Sequence, residues 1–552
     1  MKDLNVRFSD GNEITVSYGK DILSILTENG QLDGIEYPVT SALVNNELVS
    51  LSSRLKINAE VKPVFLNSET GARVYRKTLT AVLAKACSSL FPERRLVVGH
   101  SLSTGYVCYF DGLNSVDGED IDTIRVKLHE LVDQNLKIAY ENMSYADACR
   151  TFESNESKRL ILKHRNESAI PVYHIKNWFD LAYEPLLPET GMLKSFDLLP
   201  YEPGFILRFP HAFSPDKIET FEDNHLLKSI YNEYKAWGKI LNVSSVGKLN
   251  NLADGKDVKD FIRVAEVLHE KKLAQISDMI AERGRTIKVV LIAGPSSSGK
   301  TTFTKKLAIH LKVLGYNPQL ISLDDYYVDR EMTPRDEFGN WDFEALEAID
   351  IPQLNTDMLK LFDGEEVEIP SFNFKTGLRE YKGHKIQMKS RNILLIEGIH
   401  GLNDKLTERI PADQKFKIYI SALTQLNLDD NNRIATTDNR LIRRIVRDFQ
   451  FRGYDALHTL GMWKSVKHGE KKNIFPFQNN ADAVFNSALD YELAVLKNLA
   501  VPVLKAVKPW NAEYAEAARL LSFLNNFITI RPKYVPMNSI LREFIGDSDF
   551  KY

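Results

Sequence analysis

The sequence predicts a multidomain protein that combines α/β and α+β parts and contains a parallel α/β domain in its carboxyl-terminal half. At 552 residues the chain is longer than one hydrophobic core usually supports, so we expect several domains. After residue 285, apolar runs typical of strands buried on both faces alternate with segments long enough for crossover helices. The runs are "IKVVLIAG", "PQLISL", "RNILLIEG" and "FKIYIS".

Changes in the hydrophobic pattern divide the chain into five predicted segments. Residues 1–62 alternate as short strands do, and 63–215 mix helices with strands. Residues 216–285 are predicted to be a helical connector with one apolar stripe. The parallel domain takes 286–508, and 509–552 form a carboxyl-terminal helix and tail.

Composition and charge exclude several classes of protein. A net charge of −3 creates no whole-molecule positive field, so nucleic-acid binding would need a local patch. The cysteines Cys87, Cys108 and Cys149 lack C-x-x-C spacing, which indicates reduced thiols in a cytosolic protein. No apolar run approaches the roughly 20 residues that cross a bilayer. We therefore expect a cytoplasmic protein with no membrane partner.

The segment "GPSSSGKT", residues 294–301, fits G-x-x-x-x-G-K-[ST] between an apolar strand and a helical segment. Such a P-loop turns successive backbone N–H groups toward one anion at a helix start. Lys300 would reach the β and γ phosphates, and Thr301 would ligate Mg²⁺. A degenerate, inactive loop stays open as the alternative. The predicted nucleotide contacts are Gly294, Ser296, Ser297, Ser298, Gly299, Lys300, Thr301 and Thr302.

Two acids follow predicted strands of the same sheet. Glu397 ends "RNILLIEG", where a carboxylate can bind Mg²⁺ directly or through water. Asp324, in "LISLDDYYVD", is our candidate for the carboxylate that orients an acceptor hydroxyl and takes its proton. The alternatives are a strand-ending turn residue for Glu397 and a helix cap or solvated acid for Asp324.

Four arginines of "NRLIRRIVRDFQFRG" would share one helix face, because they fall at i, i+3, i+4 and i+7. A solvated charged face is the usual explanation for such a run. Arginine at every position also suits a bidentate grip on phosphate oxygens, so we predict a phosphate-clamping lid that Arg452 could join. The four are Arg440, Arg443, Arg444 and Arg447.

With these motifs in order, residues 288–488 resemble the uridine kinase branch of the phosphoribulokinase/uridine kinase family. Further matching stretches are "NWDFEALEAID", "PSFNFKTGLRE" and "ILLIEGI". The resemblance implies a P-loop kinase that phosphorylates a nucleoside 5′-hydroxyl from ATP or GTP. It also implies that Asp324 is the base, that Asp342 holds the ribose hydroxyls, that Arg440 lies near the acceptor, and that Arg443, Arg444 and Arg447 belong to the lid.

One departure from the family concerns the segment that reads the base. The family has Tyr, x, aromatic, x, x, His, x, Arg, whereas this chain has "FNFKTGLR" from Phe372 to Arg379. Phe372, Phe374 and Arg379 remain as predicted substrate contacts, but the tyrosine hydroxyl and the histidine are absent. Losing two polar contacts can relax discrimination. A purine nucleoside or a sugar phosphate therefore stays open as the acceptor.

The amino-terminal residues 1–215 resemble the β-grasp-like TGS domain and the α+β second additional, or editing, domain of threonyl-tRNA synthetase. The similarity runs through "ALVNNELVSLSSRL" and from "YRKTLTAVLAKA" to "YHIKNWFDLAYEPLLPETG". The H-x-x-x-H and C-x-x-x-H positions of that domain hold Lys77, Ala81, Ala182 and Leu186. These side chains cannot replace imidazole or thiolate. We expect a binding or regulatory module with RNA as the candidate partner, an RNA- or ribosome-associated NTPase as the rival hypothesis, and an open oligomeric state.

Overall fold

The structure is a computed structural model that describes residues 3–103, 105–113, 115–335, 339 and 341–551, without the side chains of Lys239 and Arg285. Asn340, the first residue of the "NWDFEALEAID" stretch, therefore lies outside the described part. Among the described residues, no helix is both long enough and apolar enough to cross a membrane.

A five-stranded sheet opens the chain, in the order β2-β1-β5-β3-β4. Leu4, Val6 and Phe8 alternate with exposed residues along the first strand and pack into a small core. The fifth strand continues past the predicted boundary at 62. The elements are β1 (Asp3–Phe8), β2 (Glu13–Ser17), α1 (Ile22–Glu28), β3 (Val39–Val44), β4 (Glu47–Val49) and β5 (Ala59–Phe65).

The next part contains two antiparallel sheets, in the orders β10-β9-β8 and β11-β12-β7-β6. The apolar spacing predicts the first helix from Tyr75 to Leu90, but the helix already begins at Glu69, because the Ser68 hydroxyl caps the Gly71 N–H. The elements are α2 (Glu69–Leu90), β6 (Leu96–Leu102), β7 (Gly105–Phe110), α3 (Gly118–Asp133), β8 (Ala139–Ser144), α4 (Tyr145–Thr151), α5 (Glu156–Lys163), β9 (Ala169–Ile175), β10 (Trp178–Leu181), β11 (Asp197–Tyr201) and β12 (Gly204–Arg208).

The connector consists of three helices where the sequence predicts nearly continuous helix from 224 to 283. They are α6 (His225–Leu241), α7 (Val246–Asp254) and α8 (Val258–Glu282). The first break follows from Asn242, whose φ of 53° is left-handed. Most of the predicted stripe on α8 is buried, although Met279 is exposed.

A five-stranded, all-parallel sheet forms the centre of the carboxyl-terminal part, in the order β14-β17-β13-β18-β21. The four predicted strands are confirmed, and a fifth, β21, was not predicted. The elements are β13 (Val289–Ala293), α9 (Lys300–Val313), β14 (Asn317–Ser322), α10 (Ile351–Phe362), β15 (Glu366–Asn373), β16 (Leu378–Gln387), β17 (Asn392–Glu397), β18 (Lys415–Ser421), β19 (Asn427–Asp429), β20 (Asn432–Arg433), α11 (Thr436–Arg447), α12 (Ala456–Asn473), β21 (Ala483–Asn486), α13 (Glu492–Leu504), α14 (Tyr514–Asn525) and α15 (Arg542–Ile545).

The hairpin β19–β20 joins the two halves of the molecule. Val98 of β6 donates its N–H to the Asp430 carbonyl at 2.8 Å, and the Asn427 amide donates to the Val98 carbonyl at 3.0 Å. Tyr183 donates its hydroxyl to Asp429 at 2.9 Å. Because α11 starts just after this hairpin, these contacts hold the amino-terminal half close to the start of the arginine-rich helix.

Burial of His269 predicts how stability depends on pH. The imidazole is 2 % exposed, and burial lowers its pKa to about 3. An unfolded histidine binds a proton below about pH 6.5, whereas the folded one stays neutral, so stability is lost as pH falls through that value. Between pH 7 and pH 5, the stability advantage of the wild type over His269→Gln should fall by about 2 kcal/mol in urea titrations.

Val313, which is 82 % exposed and does not titrate, provides the control. The difference between the wild type and Val313→Gln should stay constant over the same pH range. A constant difference for His269→Gln as well would contradict a buried, neutral imidazole.

Candidate functional site

The P-loop connects the central strand β13 to α9 in a tightly constrained turn. A Cβ on Gly294 would lie 2.1 Å from the Ile420 carbonyl oxygen, so only glycine fits at this position. Ser297 and Gly299 adopt left-handed φ values of 59° and 84°. This backbone turns the loop over the start of α9, where helix N–H groups attract anions.

Each carbonyl of the loop from Gly294 to Ser298 receives a hydrogen bond. The Lys300 ammonium donates to Gly294 and Pro295 at 2.9 and 3.2 Å. Arg440 donates to Ser296 at 3.1 Å, Arg443 to Ser297 at 3.3 Å, and the Ser487 hydroxyl to Ser298 at 2.5 Å. The carbonyl side of the loop is therefore tied to the protein.

Arg440 and Arg443 lie in buried ion pairs, 1 % and 0 % exposed. Arg440 donates to Glu470 at 2.7 Å, and Arg443 donates its Nε–H to Glu492 at 3.0 Å. The family resemblance implies a position near the acceptor for Arg440 and a position in a lid for Arg443. The structure instead places both guanidinium groups behind the loop, where they brace its carbonyls.

Arg444 and Arg447 keep the more open positions of this helix. Arg444 donates to the Ser296 hydroxyl at 2.8 Å, and both pair with the buried Asp448. Arg452 approaches the same carboxylate at 3.7 Å from a half-exposed position. The predicted four-arginine face thus divides into two buried braces, Arg444 in contact with the loop, and Arg447 paired with Asp448.

The predicted acids meet the P-loop at the carboxyl edge of the sheet. The Thr301 hydroxyl donates to the Glu397 oxygens at 3.0 and 3.2 Å. Ser322 at the end of β14 is in register with Glu397 at the end of β17. Asp324 follows two residues later and contributes to the field at Lys300. The structure therefore brings together Lys300, Thr301, Glu397 and Asp324.

Negative charge dominates this edge. Burial raises the pKa of Glu397 to about 7, with Lys300 opposing the shift. The cleft also raises the pKa of Glu344 to about 7, through burial and the neighbouring Glu470. Asp324 is open to water, but the cleft walls displace much of the bulk solvent and raise its pKa against the pull of Lys300. Such a site favours a cation.

The residues present fit Mg²⁺ that arrives with a phosphate. A hydroxyl and a carboxylate, Thr301 and Glu397, lie in contact at the loop end, and Mg²⁺ binds oxygen ligands. Among the described residues, no group of three or more acidic, histidine or cysteine side chains forms a metal cage. The remaining ligands would be phosphate oxygens and water, which is the usual arrangement for this ion.

An aromatic cluster lies beside Asp324. The Tyr327 ring is 5.5 Å from Phe372 and 5.9 Å from Phe343, and Phe372 is 5.1 Å from Phe374. Phe374 is 58 % exposed, so the cluster has an open edge. Such rings can stack on a planar ligand.

Asp342 and Arg379 are both engaged with the protein. Asp342 accepts the Glu344 N–H at 3.1 Å on one carboxylate oxygen. The Arg379 guanidinium donates to Asp350 at 2.8 Å. The assignment of both residues to substrate binding stays a prediction.

Comparison with protein families decides what kind of domain this is. Residues 289–494 match the phosphoribulokinase/uridine kinase family. This part of the chain is a phosphoribulokinase/uridine kinase family domain. The match confirms the family expected for 288–488 and makes a nucleotide-dependent phosphotransferase the general class of the domain; the uridine kinase branch stays a prediction.

The amino-terminal half matches threonine–tRNA ligases. One from Geobacter sp. (strain M21) is 26% identical over 200 residues, which are 36% of this chain and 31% of that protein. Threonine–tRNA ligase 2 from Bacillus subtilis (strain 168) is 31% identical over 204 residues, with the same coverage. The chain thus spans about a third of the length of these curated relatives.

Among solved structures, a possible uridine kinase from Bacillus stearothermophilus aligns with 39% of this chain and 97% of that chain. The identity is 18% and the TM-score is 0.27. A TM-score this low supports no conclusion about this chain.

The carboxyl-terminal tail contacts the nucleotide side of the kinase-family domain. Glu543 of α15 accepts the Thr302 N–H at 3.0 Å and the Thr302 hydroxyl at 2.7 Å. Ile540 packs so closely that a Cβ on Gly299 would lie 2.6 Å from it. A carboxylate therefore occupies an amide that the sequence assigned to the nucleotide. Ser296 likewise donates its N–H to Glu470 at 3.0 Å.

The four positions that replace the editing motif lie in a nearly filled part of the amino-terminal half. Lys77, Ala81 and Leu186 line a cavity of only about 20 Å³, which is room for about one water. Ala182 lies between Leu181 and Tyr183, which line the same cavity, and donates its N–H to the Pro171 carbonyl. The expected absence of editing chemistry stays a prediction.

Sequence reasoning missed four glutamates of the kinase-family domain and its tail. Glu344 lies inside the family-like stretch "NWDFEALEAID", two residues after Asp342. Its position there could have indicated a role in the site. No local sequence pattern identifies the glutamates that pair with the buried arginines or the glutamate that contacts Thr302. These contacts join residues far apart in the chain. The four are Glu344, Glu470, Glu492 and Glu543.

If Arg443 braces the loop from a buried position, replacing it should destabilise the fold. Replacing an exposed lid residue should leave stability nearly unchanged. Arg443→Gln leaves the buried Glu492 without its cation, and breaking such a pair costs about 3–5 kcal/mol. A urea titration followed by tryptophan fluorescence should show this loss. In Arg443→Gln/Glu492→Gln the loss should be smaller than the sum of the two single losses.

Arg452→Gln is the matched control, since the Arg452 side chain is 52 % exposed, and it should change stability by less than about 0.5 kcal/mol. An equally small effect for Arg443→Gln would contradict the bracing role.

Proposed function

We propose that the kinase-family domain transfers the γ-phosphate of ATP to the 5′-hydroxyl of a nucleoside of the uridine or cytidine type. The observation that carries this proposal is the meeting of Lys300, Thr301, Glu397 and Asp324 at one edge of the parallel sheet. GTP is the alternative donor.

Each of these residues has a separate role in the proposal. Lys300 leaves the loop carbonyls and binds the β and γ phosphates, while Thr301 and Glu397 hold Mg²⁺. The bound Mg²⁺ would neutralise phosphate charge during transfer. Asp324 orients the acceptor hydroxyl and takes its proton, and its raised pKa makes it a better base than an ordinary aspartate.

The aromatic cluster and Asp342 supply the proposed acceptor site. A planar base would stack against the open edge formed by Phe372 and Phe374, and Asp342 would accept hydrogen bonds from ribose hydroxyls. Arg379 is held by Asp350, so it would contact the acceptor from a fixed position. Arg444, which contacts the loop at Ser296, and Arg447, three residues further along α11, remain the proposed phosphate clamp, because neither is buried behind the loop.

A second candidate acceptor follows from Phe372 and Gly377, which occupy the places of the family's tyrosine and histidine. Without those two polar groups the site has less means to read a pyrimidine edge. A purine nucleoside or a sugar phosphate is therefore the alternative acceptor, and a panel of acceptors assayed with the purified chain separates these cases.

For the amino-terminal half we propose binding or regulation, with RNA as the candidate partner and the cytoplasm as the location. The match to threonine–tRNA ligases and the loss of the editing side chains support this role. The rival from another class is an RNA- or ribosome-associated NTPase, in which the kinase-family domain acts as a switch.

Asp324→Asn tests the proposed reaction. Removing the base should lower acceptor phosphorylation by about 100-fold or more, measured as phosphorylated acceptor formed from labelled ATP. ATP affinity should stay within about threefold of the wild type, because Asp324 would contact the acceptor and not the donor.

The exposed Asp413→Asn is the control and should leave turnover unchanged. Full turnover in Asp324→Asn would show that the base is assigned wrongly. No turnover in the wild type with any acceptor, combined with ATP binding, would favour the NTPase switch.

Glu543→Gln tests how the tail affects nucleotide binding. The Glu543 carboxylate accepts the Thr302 N–H at the start of α9 and would repel any phosphate that approaches Thr302. Replacing its charge while keeping its size should tighten ATP binding about tenfold in calorimetry.

Asp547→Asn, in the same tail with a side chain 88 % exposed, should leave ATP affinity unchanged. Weaker ATP binding in Glu543→Gln would show that the carboxylate supports the site rather than competing for it.

A further inference from the structure

A cavity of about 620 Å³ lies between the amino-terminal half and the kinase-family domain. Helix α2 and strand β7 form one wall, and the hairpin strand β20, the start of α11 and helix α12 form the other. The volume falls within the range of small-molecule sites in proteins.

Three cationic side chains that line the cavity are paired with carboxylates. Arg73 pairs with Glu184 at 2.7 Å, Lys467 with Glu69 at 3.1 Å, and Arg519 with Asp438 at 2.8 Å. Each of these cations has a carboxylate partner, so none of them needs a ligand to balance its charge.

Two other arginines of the lining, Arg76 of α2 and Arg433 of β20, have no such partners in the described part of the chain. Within the described part of the chain, neither Arg76 nor Arg433 has a carboxylate oxygen within 4 Å. The Arg433 Nε is buried and makes no hydrogen bond to the described residues. The guanidinium lies 4.8 Å from the Tyr106 ring centroid, and Arg76 contacts the same tyrosine. The two arginines and Tyr106 form the cationic corner.

The positive charge of these arginines shifts the pKa values of two neighbouring groups. Burial alone would raise the pKa of Tyr106, but Arg76, Arg433 and Lys77 together lower it. Burial lowers the pKa of His100 to about 3, and Arg433 and Lys235 add to the shift. Asp223 and Glu222 also line the cavity, but in the described part of the chain neither forms an ion pair with Arg76 or Arg433, and Asp223 lies 3.3 Å from His225 instead.

Aromatic side chains line much of the remaining wall. Rings of this kind favour a planar partner, and arginine binds phosphate oxygens through two parallel hydrogen bonds. The rings are Tyr106, Phe209, Tyr231, Trp463, Phe475 and Phe523.

We propose that the cavity binds a phosphate-bearing small molecule with a planar ring, held by the guanidinium groups of Arg76 and Arg433, at a site separate from the P-loop. The shape favours a small molecule over RNA, because both guanidinium groups are partly buried between the two halves and not spread along an open surface. The site also adjoins the back of the P-loop, since Pro295 and Arg440 line the same cavity.

Calorimetry with AMP and UMP tests this proposal, using the full chain with Lys300→Ala to weaken anion binding at the P-loop. Either monophosphate should still bind to this chain. Adding Arg76→Gln and Arg433→Gln should weaken that binding about tenfold or more, because charge-assisted hydrogen bonds are lost. Adding instead Arg263→Gln, an exposed arginine of α8, should change nothing.

A second measurement covers the case in which the double replacement fails to fold. In the Lys300→Ala chain, AMP should slow amide hydrogen exchange in residues 73–80 and 433–437. Equal AMP affinity with and without the arginine replacements, or no protection of these segments, would overturn the proposal. Neither result depends on kinase activity, so failure here is separate from failure of the proposed reaction.

Two further probes examine the ligand class. Pyrophosphate should bind the cationic corner more weakly than AMP, and equal affinity would refute the planar-ring part of the proposal. A single-stranded uridine oligonucleotide that binds with the same arginine dependence, while AMP and UMP fail to bind, would make the ligand RNA and refute the small-molecule part.

Discussion

The structure depends on one constraint of the P-loop backbone. If successive N–H groups are to face a phosphate, the carbonyls of the same peptide units must point back into the protein, where each needs a donor. Arg440, Arg443 and Ser487 supply those donors from behind the loop. Buried guanidinium groups in turn require buried carboxylates, which explains why Glu470 and Glu492 lie in the core.

Charge is divided between the two sides of this braced loop. On the side of the proposed catalytic residues, the charges of Glu397, Asp324, Glu543 and Glu344 act on Lys300, so a nucleotide would need a divalent cation to balance its charge there. On the other side of the loop, the cationic corner of the interdomain cavity contains two arginines that have no carboxylate partner in the described part of the chain. The two sites would therefore select phosphate ligands differently, the first with a divalent cation and the second without one.

Much of the carboxyl-terminal fold could be predicted from the sequence, because parallel strands and the P-loop leave local signals. Continuous apolar runs such as "RNILLIEG" are typical of strands buried on both faces. Thr301 and Glu397 are in contact, as expected for residues at the same edge of the sheet. The short strand β21 has too few residues to show such a pattern. Arginine spacing correctly predicted a helix, but spacing does not reveal that Arg440 and Arg443 face the core. The contact of Glu543 with Thr302 joins residues far apart in the chain, so no local pattern could predict it.

The most direct measurement is a crystal structure of the full chain with Mg²⁺ and a non-hydrolysable ATP analogue. The account predicts that the β and γ phosphates lie on the loop amides, that Lys300 leaves the Gly294 carbonyl for the phosphates, and that Arg440 and Arg443 keep their bonds to the loop carbonyls. Phosphates bound by Arg440 or Arg443, or a loop that stays closed on Lys300 with no nucleotide, would contradict it.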